Sequence, residues 1–325
     1  MQSRALTTNS GPVPRAFPGS LAQEWYDEAR EDPGDSREFH RGESVDTLSS
    51  SKVANNPDKS ALGGIRVKAT ILFSDIRGFT RMADSMAAEK AVELLNDYFT
   101  RMVDVVLEEQ GILDKYIGDG LMAVFGAIRI QEDDALRAVG AGLAMEKKLA
   151  GLNQERESNG LEPIVIGVGI STGEVIAGNI GSEKRMDFTV IGDDVNIAAR
   201  LAKLTKSYGV TILISDSTHQ ELGEHFVTRP IDRVRIPGRK NPVELIEVLG
   251  DTSYQLSEGQ KHFSQGIEAY REKNFAAACD LFGKGAETDP LCRVFLARCR
   301  TLMEDPPQPD WDGVWALERR ELVRT

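Results

Sequence analysis

Apolar positions follow no sustained period from residue 1 to about 60. That stretch is rich in Ser, Gly, Pro, Asp, Glu and Arg, and only AQEWYDEAR has the look of a short helix. It reads as a disordered region or linker. The pattern changes at Ile65. IRVKATILFSD is a dense apolar run ending in a polar turn, which predicts a strand. Over residues 88–110, Val92, Leu95, Phe99, Met102, Val103 and Val106 recur at spacings that place them on one helical stripe, with Gly111 as the stop. ILDKYIGDGLMAVFG predicts two strands around a Gly-Asp-Gly bend. Residues 132–152 predict another helix, IVIGVGIS a buried strand, and residues 174–191 two short strands joined by a polar loop. DDVNIAARLAKLTKSYG reads as a helix, acidic at its start and basic late, as the macrodipole favours. VTILIS is a strand, SDSTHQEL starts a helix with Ser215 as N-cap, and strands at about 226–235 and 242–248 follow.

Long helical patterns mixed with hairpins predict an α+β fold, a ferredoxin-like, mostly antiparallel sheet covered by helices. After Gly250 the chain turns helical, and FSQGIEAYREKNFAAACDLFGKGAETDP resembles one tetratricopeptide-type helical hairpin. One such unit cannot bury its own apolar face, so it docks either on the main domain or on a protein partner. The expected organisation is therefore 1–60 linker, 61–250 main domain and 251–325 helical extension.

Charge and cysteine usage narrow the function. Lys plus Arg number 39 against 51 Asp plus Glu, a net charge of −12. That argues against a general nucleic-acid binder, which needs a basic footprint, but leaves room for a small basic pocket. No apolar run is long enough to span a membrane, and the first residues lack the apolar core of a secretory signal. Cys279, Cys292 and Cys299 are an odd, late group rather than a disulfide framework, which points to a reducing cytoplasm. Cys292 and Cys299, seven apart, read as core filling on one helix face. The four histidines are scattered, without zinc spacing.

Four segments carry the candidate chemistry: FSDIRGFT, DKYIGDGLMAVFG, GNIGSEKRMDFTVIGDDVNIAARL and IPGRKNPVELIEV. Asp75 closes an apolar strand. It suits a turn or helix cap, or a cation ligand followed by backbone N–H groups of Ile76, Arg77, Gly78, Phe79 and Thr80 that cradle phosphates. Asp119 fits a hairpin turn, or a second carboxylate of a two-metal site. Asn196 and Arg200, four apart, form either a solvated helix face or a donor pair toward a charged ligand. Lys184 and Arg185 are surface charges or neutralise a polyphosphate.

Together these segments resemble the catalytic domain of class III nucleotidyl cyclases over about residues 65–250, with FSDIRGFT, KYIGDGLMAVFG and TVIGDDVNIAARL as the specific set. The resemblance implies a homodimer with active sites at the interface. It implies that Asp75 and Asp119, with the Ile76 carbonyl, bind two divalent cations, Mg²⁺ or Mn²⁺. Lys115 and Thr189 would read the base, Asn196 would orient the ribose, and Arg200 would stabilise charge at the α-phosphate. Lys184 or Arg185 would contact the terminal phosphates. The cation and phosphate groups would come from one protomer and the base, ribose and Arg200 groups from the other. The run Ile236-Pro237-Gly238-Arg239 departs from the family pattern, with Pro237 where a basic residue is usual; Arg239, Lys240 or Arg235 could substitute. Lys115 can only donate and Thr189 can accept, which suits adenine N1 and its 6-amino group. A Thr at this place resembles a bacterial adenylate cyclase subgroup. The implied activity is ATP to 3′,5′-cyclic AMP and pyrophosphate. The alternatives are a guanylate cyclase and a non-catalytic nucleotide-binding dimerisation module.

Overall fold

The computed structural model describes residues 63–182, 185–236 and 241–317. The reading of residues 1–60 as a linker falls outside them. Strands β1 (Gly63–Ile76), β2 (Ile112–Ile117), β3 (Gly120–Phe125), β4 (Ile166–Ser182), β6 (Ile212–Ser215), β8 (Val243–Asp251), β7 (Phe226–Arg235) and β9 (Trp315–Ala316) form one sheet, in the order β2-β3-β1-β4-β6-β8-β7-β9. Strand β5 (Arg185–Ile191) pairs with the far end of β4. Every pairing is antiparallel except β4 with β6 and β7 with β9. The fold is thus the expected mixed α+β, mostly antiparallel architecture.

Helices cover both faces. Between β1 and β2 lie α1 (Phe79–Asp84) and α2 (Ala88–Glu108), and α3 (Asp134–Ser158) precedes β4. Next come α4 (Asp193–Tyr208) and α5 (Asp216–Gln220), then α6 (Glu258–Arg271), α7 (Phe275–Gly285) and α8 (Pro290–Glu304). Helices α2 and α3 pack with Leu72, Ile76, Ile212 and Ile214 on one face. Their strand neighbours Ile71 and Leu213 point to the other face, toward α4. Successive strand side chains alternate faces, so burial on both sides produces the near-continuous apolar runs seen in the sequence.

The structure corrects several sequence expectations. The α2 stripe is wider than expected: Met102, Val103 and Val106 are buried and Leu95 and Phe99 pack against the core, Leu94, Tyr98 and Val105 join them, and of the expected positions Val92, 56% exposed, falls outside. Counting only aliphatic and Phe positions missed Tyr98, whose hydroxyl is satisfied inside the core by Ser74 at 2.7 Å. The helix reverses at Gln110 (φ 56°), not at Gly111. Gln110 and Gly111 donate back to the Leu107 and Val106 carbonyls, while Gly111 leaves room for the Phe125 ring. Strand β4 is a single 17-residue element that joins the predicted IVIGVGIS strand to the first of the two short strands after it.

The C-terminal extension has three helices rather than a hairpin. The third, α8, opens on an Asp289 cap with Pro290 in its first turn, a start signal the hairpin reading overlooked. Phe263 of α6, Phe282 of α7 and Leu291 and Phe295 of α8 share one core with Leu201, Leu204, Ile231 and Leu245. Cys292 and Cys299 are fully buried there, and burial pushes both thiols up to about 12. They fill the core, as their spacing suggested.

Candidate active site

Register places the two aspartates together. Asp75 on β1 lies opposite Gly120 on β3, so Asp119, in the preceding turn, comes beside it. Gly118 (φ 62°) allows the tight two-residue connection. Asp75 is half-buried, and burial, then the charge of Asp119, raise its carboxyl to about 6. Lys203 acts against that rise. The two carboxylates open into a cavity with residues 76–80, Lys203 and Lys206. Two like charges in a partly desolvated cleft call for a cation. Among the described residues no group of three or more His, Cys, Asp or Glu side chains forms, so any further ligands would be carbonyl, water or substrate oxygens.

The loop after Asp75 is more committed than the sequence implied. The Arg77 amide donates to the Val165 carbonyl at 2.8 Å, and its guanidinium turns inward to the Val210 carbonyl. Arg77 therefore has no free amide for a phosphate. The amides of Gly78, Phe79 and Thr80 open α1, where a helix leaves its first N–H groups without intrahelical partners.

A second cluster is separate from this cavity. Thr189, on β5, donates from its hydroxyl to Asp114 Oδ2 at 2.8 Å, and Lys115 Nζ lies 3.5 Å from the same oxygen. The expected base-reading pair is thus brought together, through a residue that sequence reasoning did not select. Asp114 and Lys115 are consecutive on β2, and alternation alone would send them to opposite faces. The register shifts between Leu113 and Lys115, a bulge that re-aims Asp114. No sequence pattern announced that bulge.

Helix α4 carries Asn196 and Arg200. It lies close on β4: a Cβ at Gly169 would sit 2.2 Å from the Ala198 carbonyl oxygen. Asn196 donates to the Gly192 carbonyl at 3.3 Å. Lys203 follows at the next position of the same stripe and reaches the aspartate cavity, so the i, i+4, i+7 spacing of Asn196, Arg200 and Lys203 was a usable signal that went unread. Lys115, Thr189, Asn196 and Arg200 do not line the aspartate cavity of their own chain. Apolar side chains flank them: Tyr116 and Ile117 are each 50% exposed, and Ile191 is 56% exposed. Lys184 and residues 237–240, with the Pro237 departure, fall outside the described residues, as does the side chain of Arg185. Arg235 lies 3.6 Å from Asp312, an exposed pair.

The sheet thus carries a paired-carboxylate cavity at a strand end and, apart from it, a cluster of Asp114, Lys115 and Thr189 on β2 and β5. The model of the family described as adenylate and guanylate cyclase catalytic domain matches residues 66–254, more than half of the chain. The chain belongs to that family. An adenylate cyclase of Anabaena cylindrica is 39% identical over 188 residues, covering 56% of this chain and 36% of that protein. Adenylate cyclase 1 of Rhizobium meliloti is 30% identical over 185 residues, covering 57% of this chain and 28% of that protein. The chain thus spans about a third of the length of these curated relatives. Among solved structures, the adenylyl cyclase CyaB from P. aeruginosa aligns with a TM-score of 0.56 at 36% identity, covering 60% of this chain and 100% of that one. A guanylyl cyclase aligns with a TM-score of 0.54 at 41% identity, covering 60% of this chain and 99% of that one. No helix among the described residues is long and apolar enough to cross a membrane.

Proposed function

We propose that the chain is an adenylate cyclase, active as a homodimer, that converts ATP to 3′,5′-cyclic AMP and pyrophosphate. The observation that carries this reading is the division of the machinery within one chain. Asp75 and Asp119 share a cavity that the Lys115–Thr189 cluster and Arg200 do not line. Two copies arranged head to tail would bring one chain's carboxylates to the other's base-reading residues. The exposed Tyr116, Ile117 and Ile191 beside that cluster suit a covered interface better than open water.

In the reaction, the ribose 3′-oxygen loses its proton and forms a bond to the α-phosphorus, and the bond from that phosphorus to the β-phosphate oxygen breaks. Asp75, Asp119 and the Ile76 carbonyl would hold two divalent cations, which when bound supply counter-charge to the triphosphate and the attacking oxygen. Gly78, Phe79, Thr80, Lys203 and Lys206 line that cavity, and the amides of the first three with the two ammonium groups would hold the phosphate tail. Lys184 or Arg185 would add charge toward the terminal phosphates. Asn196 would orient the ribose, and Arg200 would stabilise the growing charge at the α-phosphate. Lys115 donates to adenine N1 and Thr189 accepts from the 6-amino group. ATP as substrate and three unpaired thiols support a cytoplasmic setting.

Guanylate cyclase is the second reading, favoured by the 41% identity to a guanylyl cyclase. It leaves guanine N1–H and the 2-amino group without an acceptor at Lys115. The purified 325-residue chain incubated with ATP or GTP and Mg²⁺ or Mn²⁺ separates the readings. Cyclic AMP from ATP is expected; cyclic GMP from GTP with no cyclic AMP from ATP, or no product from either nucleotide, defeats the proposal.

The shared site gives a second expected result. Asp119→Ala damages the cation half and Arg200→Ala the transition-state half, so each variant alone is inactive. In their heterodimer one site carries both lesions and the other none. Mixing the two should restore a measurable fraction of wild-type turnover once protomers exchange. Heterodimers demonstrated by tag pull-down, yet without activity, would show that each site lies within one chain.

A further inference from the structure

Thr189 has an ambidextrous hydroxyl: it can donate to a base or accept from it. Used alone it would discriminate poorly between adenine, which offers an amino donor at position 6, and guanine, which offers a carbonyl acceptor there. The structure removes that freedom. The Thr189 proton is spent on Asp114 Oδ2 at 2.8 Å, and the Asp114 side chain is only 4% exposed, so water does not readily replace it. An ionised carboxylate accepts and cannot donate. Burial pushes the Asp114 carboxyl upward, while the Thr189 hydrogen bond and Lys115 pull it back. Thr189 is left with lone pairs alone to offer a ligand. Lys115 Nζ, 3.5 Å from the same carboxylate, is held on the same side as the hydroxyl. The bulge at Leu113–Lys115 is what allows two consecutive residues to converge there.

We propose that Asp114 is the specificity-positioning residue of this chain: by fixing the Thr189 hydroxyl as an acceptor beside the Lys115 ammonium, it selects a purine that carries an amino group at position 6. This deepens the adenylate cyclase reading and rests on it. Asp114 acts through Thr189 and Lys115 and touches no reacting atom.

The test compares ATP, purine riboside triphosphate, which lacks only the 6-amino group, and GTP, with the whole 325-residue chain. Both kcat/KM and equilibrium binding of the methylene-bridged analogues are measured. In wild type, ATP should be preferred over purine riboside triphosphate by about tenfold, the worth of one well-made hydrogen bond. Asp114→Asn keeps the shape but can donate to Thr189, which frees the hydroxyl to turn. The ATP advantage should then fall to about twofold, with GTP gaining relative to ATP, and with kcat less affected than KM. In a Thr189→Val background, Asp114→Asn should cause no further change in the ratio. A purely structural role would lower all three nucleotides by one common factor, and that result overturns the proposal. Unchanged ratios in Asp114→Asn also overturn it. Wild-type protein needs no variant to be informative: equal handling of ATP and purine riboside triphosphate overturns the proposal by itself. Should wild type bind nucleotides with the expected preference but form no cyclic product, the cyclase reading fails while this inference stands.

Discussion

Asp119→Ala and Asp75→Ala are each expected to lower cyclic AMP formation by about a thousandfold or more, without loss of folded protein. The two carboxylates sit side by side at the end of β1 and in the β2–β3 turn, with Asp75 opposite Gly120. Under the proposed two-cation reading each replacement would remove a ligand of a cation that would supply several kcal/mol of transition-state stabilisation, and each 1.36 kcal/mol is about tenfold in rate. Stability should move the other way. Burial and the neighbouring Asp119 raise the Asp75 carboxyl to about 6, the mark of a charge the fold does not favour there. Removing either carboxylate relieves that repulsion, so the thermal midpoint in metal-free buffer should be unchanged or higher than wild type. Addition of Mg²⁺ or Mn²⁺ with a non-hydrolysable ATP analogue should then raise the wild-type midpoint but not that of the variants. Near-normal Mg²⁺-dependent turnover in either variant would sink the assignment. A clear fall in the metal-free midpoint would show that the pair stabilises the fold rather than serving the chemistry.

What the sequence revealed of this site depended on whether the signal was local. Asp75 and Asp119 were legible because a strand end and a Gly-Asp-Gly turn are themselves sequence features, and the family motif ties them together. Asn196 and Arg200 were legible from helical spacing, and the same spacing extended by one step would have found Lys203. Asp114 was not legible. Its orientation comes from a register shift between β2 and β3, which depends on the partner strand. Arg77 looked like part of a phosphate loop, yet its amide and guanidinium are taken by the Val165 and Val210 carbonyls, contacts far away in the chain. The fold followed the same rule. Strand and helix order came from periodicity, whereas the full width of the α2 stripe depended on a buried tyrosine whose hydroxyl needs Ser74. The helical extension had to dock somewhere, since one such unit cannot bury its own apolar face, but only the structure shows that its core is continuous with that of α4, β6, β7 and β8. Tertiary partners decide such cases, and periodicity does not encode them.

That shared core contains the site of the second large expected effect. Arg229 on β7 reaches Glu247 on β8 at 2.6 Å and, with both terminal nitrogens, Asp289 at the start of α8. The side chains are 6%, 11% and 1% exposed, respectively. The guanidinium also lies 4.9 Å from the centre of the Phe263 ring on α6. One cation thus joins two strands of the sheet to two helices of the extension. Arg229→Met keeps much of the volume but strands two acids in the interior. Breaking a buried pair in this way costs about 3–5 kcal/mol, so the urea midpoint at pH 8 should fall accordingly. The loss should shrink in acid. Burial already lifts Glu247 to about 7 from the usual 4.5, despite the pull of Arg229, and removing that cation lifts it further. A carboxyl whose folded pKa stands above its unfolded value favours folding below the unfolded value and loses that contribution as pH rises through the folded one. The stranded Glu247 therefore takes up a proton between pH 8 and pH 5, and the deficit of Arg229→Met against wild type should narrow over that window. Glu247→Gln placed in the Arg229→Met background should flatten the dependence and recover part of the stability at pH 8. A deficit under about 1 kcal/mol at pH 8, in the range of exposed pairs, would mean that Arg229 does not fasten the helical extension to the sheet.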